Sequence, residues 1–382
     1  MTRPRKVLVV GAGLSGATIA ERCAALGADV TVIEKRGHIG GNVYDAVDPM
    51  TGIRVSHYGA HLFHTNDEEV WEYIQRFGEW RRWDHKVIAQ TGGIYVPVPV
   101  NPTTVNTLFG LNIQSEMEMQ EWLSKEAVHT DSASPANSEE VALQRVGLRL
   151  YERLFRPYTI KQWAKEPRDL EASVLQRIPV RTTFDDRYFS DRFQGLPVEG
   201  YTQIVERMLE SPRIQVRLGV AWEDVQHIRD EWDEIVYTGP IDQYFKSAGL
   251  PALEYRSIEF EWSRLACIGY AQPNSVVNYP DPETPYTRCV EYKHFLHQPS
   301  EWTILSKETT TDSGEPYYPV PTERNRALYE RYKFLASKEK GVHFIGRLAS
   351  YKYFNMDQAI RTALDYVETV LQPRITTSQL SM

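Results

Sequence analysis

Gly11, Gly13 and Gly16 stand in the order Gly-Ala-Gly-Leu-Ser-Gly, directly after the apolar run Val7, Leu8, Val9 and Val10. Gly11 permits a tight turn, and Gly13 lets backbone approach a pyrophosphate. Gly16 lets a helix that opens around Leu14 and Ser15 pack on the preceding strand. The first N–H groups of that helix and its positive dipole end then face phosphate. A second apolar run, residues 30–33, ends at Glu34. A carboxylate there accepts from both hydroxyls of a ribose and repels a 2′-phosphate. Strand, glycine turn, helix, strand and acid together describe a dinucleotide site.

A different chemistry is concentrated further on. Phe155, Arg156, Tyr158, Thr159, Lys161 and Trp163 are followed by Arg177 and Arg181, then by Arg187, Tyr188 and Phe189. Arginine forks bind phosphate bidentately and aromatic faces stack on a base, so the set suits an anionic substrate with a flat ring. A solvated, partly packed surface is the plainer reading of the same residues. The loop carrying His57, His61 and His64 has histidines at ligand spacing, but no acid or cysteine cluster supports a metal there. The cysteines, Cys23, Cys267 and Cys289, are too few and too scattered for a disulfide framework and imply a reducing cytoplasm.

The elements that must hold these groups follow from periodicity and punctuation. Asn66 and Asp67 cap a helix through residues 70–75. Residues 87–89 and 94–100 read as strands, the second confined by its prolines to an edge or an exit from a sheet. Helices follow from Asn101 and from Ser115. An exposed polar loop spans residues 130–137, and a helix capped by Ser138 runs to about Arg156, where Pro157 stops it. Residues 216–220, 234–237 and 257–262 alternate as strands do and suggest an antiparallel sheet over the substrate side. Residues 342–345 read as a buried strand leading to a turn at Gly346 and Arg347. An amphipathic helix opens near Met356, Asp357 and Gln358.

At 382 residues the chain can build two or three substructures on one or two large cores. A net charge of −8 argues against a general nucleic-acid binder while leaving room for a local basic pocket. No apolar run approaches the length of a membrane span, and the run at residues 7–10 is too short for a secretion signal.

After Glu34, the stretch containing Lys35, Gly40, Gly41 and Asn42 resembles the Gly-Gly extension of FAD-dependent proteins of the glutathione-reductase and amine-oxidase type. That second glycine turn favours FAD over NAD, and Gly346 with the helix after it is similar to the second half of such an FAD site. With the histidine loop and the Arg/aromatic set added, the chain resembles the bacterial UDP-galactopyranose mutases along essentially its whole length. The motifs are residues 59–65, 156–163, 177–181, 184–189 and 346–357.

The resemblance implies a mixed α/β fold: a Rossmann-like FAD-binding domain of glutathione-reductase type at residues 1–85, 200–250 and 340–382. An inserted helical domain with a substrate lid would occupy 100–175, and an antiparallel-sheet domain 86–99, 176–199 and 251–339. It implies an isomerase that interconverts UDP-galactopyranose and UDP-galactofuranose through a covalent N5–C1 adduct of reduced FAD, with no net redox change. Arg177 and Arg288 would stabilise the departing UDP, with His64 against the isoalloxazine. Gly11, Gly13, Leu14, Ser15, Gly16, Glu34, Lys35, Gly41, Asn42, His61, Leu62, Gly346, Arg347, Met356, Asp357 and Gln358 would hold FAD. Phe155, Tyr158, Thr159, Trp163, Tyr188, Phe189, Asn278, Tyr318, Tyr353 and Asn355 would hold substrate beside the two arginines. Asn355 departs from the aspartate that many relatives have there.

A cytoplasmic homo-oligomer served by an external reductant is expected, with no nucleic acid and no membrane insertion. An FAD-dependent amine oxidase and a non-catalytic nucleotide-sugar-binding flavoprotein are the rival readings.

Overall fold

The computed structural model describes residues 3–128 and 134–380. The strand Lys6–Val10 buries all but its first residue, which forces a central place with protein on both faces. It lies in a five-stranded sheet in the order Ile214–Leu218, Asp29–Glu34, Lys6–Val10, Glu234–Tyr237, Val342–Phe344, and every neighbouring pair is parallel. The helix Leu14–Ala25 makes the crossover and buries Ala17, Ala20, Cys23 and Ala24 against the sheet. Small side chains permit that close approach. The helix Met356–Tyr366 packs beside it, so both helices that open toward the glycine turns lie side by side.

Two strands expected in the antiparallel sheet, those around residues 216 and 234, belong to this parallel sheet instead. Glu234–Tyr237 is buried throughout, and Ile214–Leu218 is an edge strand with alternating exposure. Period-two alternation arises from a solvated edge as readily as from an antiparallel strand with one solvated face.

The second sheet has seven strands in the order Tyr318–Pro319, Tyr255–Ala266, Trp302–Thr311, Arg288–Glu291, Val276–Asn278, Ile88–Thr91, Ile94–Pro97. Its long ladder, Tyr255–Ala266 against Trp302–Thr311, is antiparallel, and Val276–Asn278 meets Ile88–Thr91 in parallel. The proline-bearing strand Ile94–Pro97 takes the edge, where a missing N–H costs nothing.

The helical part has its own core of Val105, Met119, Val141, Leu150, Trp163 and Leu175. Asn101 caps Pro102–Phe109 and Ser115 caps Glu116–Glu126 through their side chains. Two sequence expectations fail here. Asn137, not Ser138, caps Ser138–Leu150; the Ser138 hydroxyl bonds the Glu171 carbonyl instead. Nor does Pro157 end the run, because helical turns continue through Tyr151–Phe155 into Arg156–Trp163. Pro157 sits in the first turn of that last helix, where its missing N–H and fixed φ are tolerated. Of the expected polar loop, residues 130–133 lie outside the described residues. Among the described residues no helix is long and apolar enough to cross a membrane.

Candidate functional site

Three backbone turns converge above the parallel sheet. Gly11 has φ +108°, and a Cβ on Gly16 would stand 1.9 Å from the Gly11 carbonyl oxygen, so turn and helix meet only because both are glycine. Gly40 donates to the Ala12 carbonyl at 2.9 Å, which lays the second glycine turn on the first; a Cβ on Gly41 would be 2.9 Å from Gly13 Cα. Gly346, φ +102°, brings the third turn against Ser15. The buried Glu34 carboxylate accepts from the Ala12 and Arg36 N–H groups, both at 2.9 Å.

Asp357, in the first turn of Met356–Tyr366, has Oδ1 buried without a partner, and burial pushes its carboxyl above the usual range. Other expected cofactor residues are engaged within the protein. Lys35 binds Glu315, Asn42 Oδ1 accepts from Arg36, and Gln358 Oε1 accepts from the Asn355 N–H.

Beside these turns lies a cavity of about 660 Å³. Phe155, Tyr158, Thr159, Trp163, Arg177, Tyr188, Phe189, Asn278, Arg288, Tyr318, Tyr353 and Asn355 all line it, with His61, Leu62, His64, Arg347 and Met356. Tyr318 and Tyr353 stack at 5.6 Å with 16° between planes. The Arg177 guanidinium sits 4.1 Å from the Tyr353 ring centroid and that of Arg347 5.1 Å. Burial pushes the Tyr353 phenol up, but Arg177, Arg347 and Arg288 outweigh it and hold it below its ordinary value. Arg288 Nε donates to Glu308 Oε2, and burial of the guanidinium is more than offset by Glu308 and the phenols of Tyr318 and Tyr158. Such a wall, cationic and faced with phenols, suits a diphosphate.

The histidines are neutral or paired. His61 Nδ1 donates to the Gly59 carbonyl at 2.8 Å; burial, with Arg347 and Arg288 adding to it, lowers its pKa to about 4. His64 Nδ1 lies 3.0 Å from Asp191 Oδ2, and its ring stacks on Phe189 at 3.6 Å. The bond to His64 holds Asp191 below the usual carboxylate range. Among the described residues no group of histidine, cysteine and acid could hold a metal.

Sequence reasoning missed four residues of this wall and its support: Arg145, His85, Asp191 and Glu308. Glu308 stands directly opposite Arg288 in the ladder of Arg288–Glu291 with Trp302–Thr311, a fact of register that no local pattern carries. Asp191 lies only two residues beyond Phe189, but its bond to His64 comes from the pairing of Phe63–Thr65 with Phe193–Pro197, which no local pattern carries. Lys161, inside the aromatic run, faces elsewhere and donates to the Tyr279 and Asp281 carbonyls.

Comparison with known proteins agrees with this architecture. Residues 153–353 match the family model described as UDP-galactopyranose mutase, and residues 9–77 match an NAD(P)-binding Rossmann-like domain. The chain is 37% identical to a probable UDP-galactopyranose mutase of Klebsiella pneumoniae over 96% of each. It is 35% identical to dTDP-fucopyranose mutase of Escherichia coli, over 96% of this chain and 98% of the relative. The crystal structure of a reduced UDP-galactopyranose mutase shares the fold, with a TM-score of 0.75 over 99% of this chain and 96% of the other at 16% identity. A family model matched over more than half the length and relatives matched end to end say the same thing: the chain belongs to the UDP-galactopyranose mutase family.

Proposed function

We propose that the protein interconverts UDP-galactopyranose and UDP-galactofuranose with bound, reduced FAD. The observation that carries this reading is the cluster of Arg177, Arg288 and Arg347 around the stacked Tyr318 and Tyr353, in a cavity that adjoins the dinucleotide turns. FAD fits the turns on two counts. Gly13 and Gly41 let the first two turns meet at the start of Leu14–Ala25 with no side chain between them, and the buried Asp357 Oδ1 at the start of Met356–Tyr366 has no partner within the protein. The chemistry FAD supplies when bound and reduced is a nucleophilic ring nitrogen that is regenerated, so the isomerisation has no net redox change.

The chain's own residues do the rest. Arg177 and Arg288 meet negative charge that grows on UDP as it leaves, so they stabilise the transition state more than the bound substrate. Tyr318 and Tyr353 hold the diphosphate through their hydroxyls. Tyr188 stacks on the base with Phe189 beside it, while Phe155, Tyr158, Thr159, Trp163 and Asn278 enclose the nucleoside side. His64, held by Asp191, would hold the cofactor ring together with the backbone of His61 and Leu62, all three of which line the cavity. Asn355, which lines the cavity, offers the site an amide dipole and no charge.

The chain's division into residues 1–85, 200–250 and 340–382, then 100–175, then 86–99, 176–199 and 251–339, belongs to this reading. The membership of the two large sheets supports it. A cytoplasmic homo-oligomer served by an external reductant is also part of this reading. A second reading, a deoxythymidine diphosphate sugar as substrate, is favoured by the 35% identity to the E. coli relative.

The test is to reduce the purified flavoprotein anaerobically with dithionite, add UDP-galactofuranose or dTDP-fucofuranose, and separate the nucleotide sugars by chromatography beside an oxidised control. Conversion of the uridine sugar to its pyranose form in the reduced sample alone is the expected result. Conversion of the thymidine sugar alone would move the assignment to the second reading, and no conversion of either would remove the mutase reading.

A further inference from the structure

We propose that Arg145 is a positioning residue for Arg177, fixing the end of the short helix from which that arginine enters the cavity. Resting as it does on the mutase reading for its kinetic consequence, the proposal starts from two hydrogen bonds. Arg145 Nη1 donates to the Leu175 carbonyl at 3.0 Å and to the Gln176 carbonyl at 2.9 Å. These are the last carbonyls of Ser173–Gln176, and Arg177 is the residue that closes that helix. A helix end leaves carbonyls without intrahelical partners, and the Arg145 guanidinium satisfies two of them from one nitrogen, Nη1.

The helix that carries Arg145, Ser138–Leu150, is itself fixed nearby. Gly147 takes φ +75°, where a Cβ would lie 2.2 Å from the Glu126 carbonyl oxygen, so the backbone of Glu116–Glu126 presses on it directly. Arg145 is therefore a strut between a braced helix and a helix of only four residues that cannot hold its own end. It is half-buried on the cavity wall, and among the described residues no carboxylate lies within ion-pairing distance of it. Burial lowers its pKa from the ordinary arginine value, the cost of keeping a guanidinium there with carbonyls as its hydrogen-bond partners. Arg177, which emerges one residue past the clamped carbonyls, reaches out to within 4.1 Å of the Tyr353 ring centroid. A shift of its backbone would carry the guanidinium off the diphosphate position, and small misplacements of such a group are expensive in rate.

The test uses the FAD-loaded enzyme with Arg145→Met, Arg145→Lys, Arg177→Met and the double Arg145→Met/Arg177→Met. Flavin content and melting temperature are read together with kcat and KM for UDP-galactofuranose and the Kd for UDP. Arg145→Met is expected to lower kcat/KM about tenfold to a hundredfold, mostly in kcat, because hydrogen bonds to a charged group are lost. Arg145→Lys, which can still reach a carbonyl, should recover most of that loss. In the Arg177→Met background the same Arg145→Met change should move kcat/KM less than about threefold, since neighbours acting through one another are not additive. An equal loss with and without Arg177, no loss at all, or a loss that tracks flavin content and melting temperature would each overturn the proposal. If the wild-type enzyme turns over neither nucleotide sugar, the mutase reading falls and the UDP Kd cycle decides on its own. Weakening by Arg145→Met only where Arg177 is present supports the strut, and weakening in both backgrounds overturns it.

Discussion

The two halves of the site are built on opposite principles. Around the dinucleotide turns the protein works by leaving side chains out: Gly16 meets the Gly11 carbonyl and Gly41 meets Gly13 backbone to backbone, and Gly346 lies against Ser15. Across the cavity it works by bringing side chains in. Arg177, Arg288, Tyr318 and Tyr353 come from a helix end, two different strands and a loop, and meet only through long-range pairing. A site of bare backbone fails when an atom is added, whereas a site of converging side chains fails when one partner is taken away.

The largest effect should follow from taking away a partner. Glu308 is 1% exposed, one of its oxygens has no partner, and the other accepts from Arg288. Arg288→Met leaves that carboxylate buried and uncompensated, which costs about 3–5 kcal/mol of stability. Denaturant unfolding measures it. The double change Arg288→Met/Glu308→Leu should restore most of the stability and none of the activity, because the buried charge is gone but the cation at the diphosphate is gone too. A single variant as stable as the parent would show that the pair is not what anchors this wall, and the contrast between the halves would weaken.

The second effect is smaller and falls on the other half. Gly41 has φ +54°, and a Cβ there would be 2.9 Å from Gly13 Cα. Gly41→Ala should cost about 1–2 kcal/mol of local strain. Its main consequence should be loss of flavin, since the two turns must part to make room. The ratio of flavin to protein in the purified variant should fall severalfold while the cofactor-free melting temperature moves by a few degrees. Retention of a full complement of flavin would mean that the turns do not depend on close backbone approach.

The same difference explains what the sequence disclosed. The glycine turns, Glu34 and the helix at Met356 are local in the chain, each fixed by a spacing of a few residues, and the structure has them in the expected elements. The Arg/aromatic set was legible as residue types, and all of the residues expected around the substrate do meet in one cavity. Their supports were not legible. Glu308 beneath Arg288 depends on strand register, Asp191 beside His64 on the meeting of Phe63–Thr65 with Phe193–Pro197, and Arg145 behind Arg177 on helix packing. The misplacement of strands 214–218 and 234–237 has the same root, because exposure pattern reports a strand's faces and not its neighbours.

A further effect, felt only as the pH falls, concerns a group that gives the cavity wall no charge. His85 is 3% exposed, and its Nδ1 accepts from the Trp83 indole N–H at 3.4 Å, so the ring is neutral with its proton on Nε2. Burial lowers its pKa to about 3, with Arg288 and His64 adding to the effect. An unfolded histidine titrates near 6.5, so between that value and about 3 the unfolded chain holds the extra proton. Stability therefore rises with pH through this window: the contribution is complete above about 6.5 and drains away as the pH falls, by up to about 1.4 kcal/mol per unit. His85→Asn has no proton to take up in either state. Between pH 6.5 and 5 the parent should lose about 1.5–2 kcal/mol more than the variant in urea unfolding, whatever the constant offset between them. Parallel curves would mean that the imidazole already carries its proton when folded. The cavity would then hold a further cation beside Arg288, and its wall would owe its character to accumulated charge as well as to the pairing of Arg288 with Glu308.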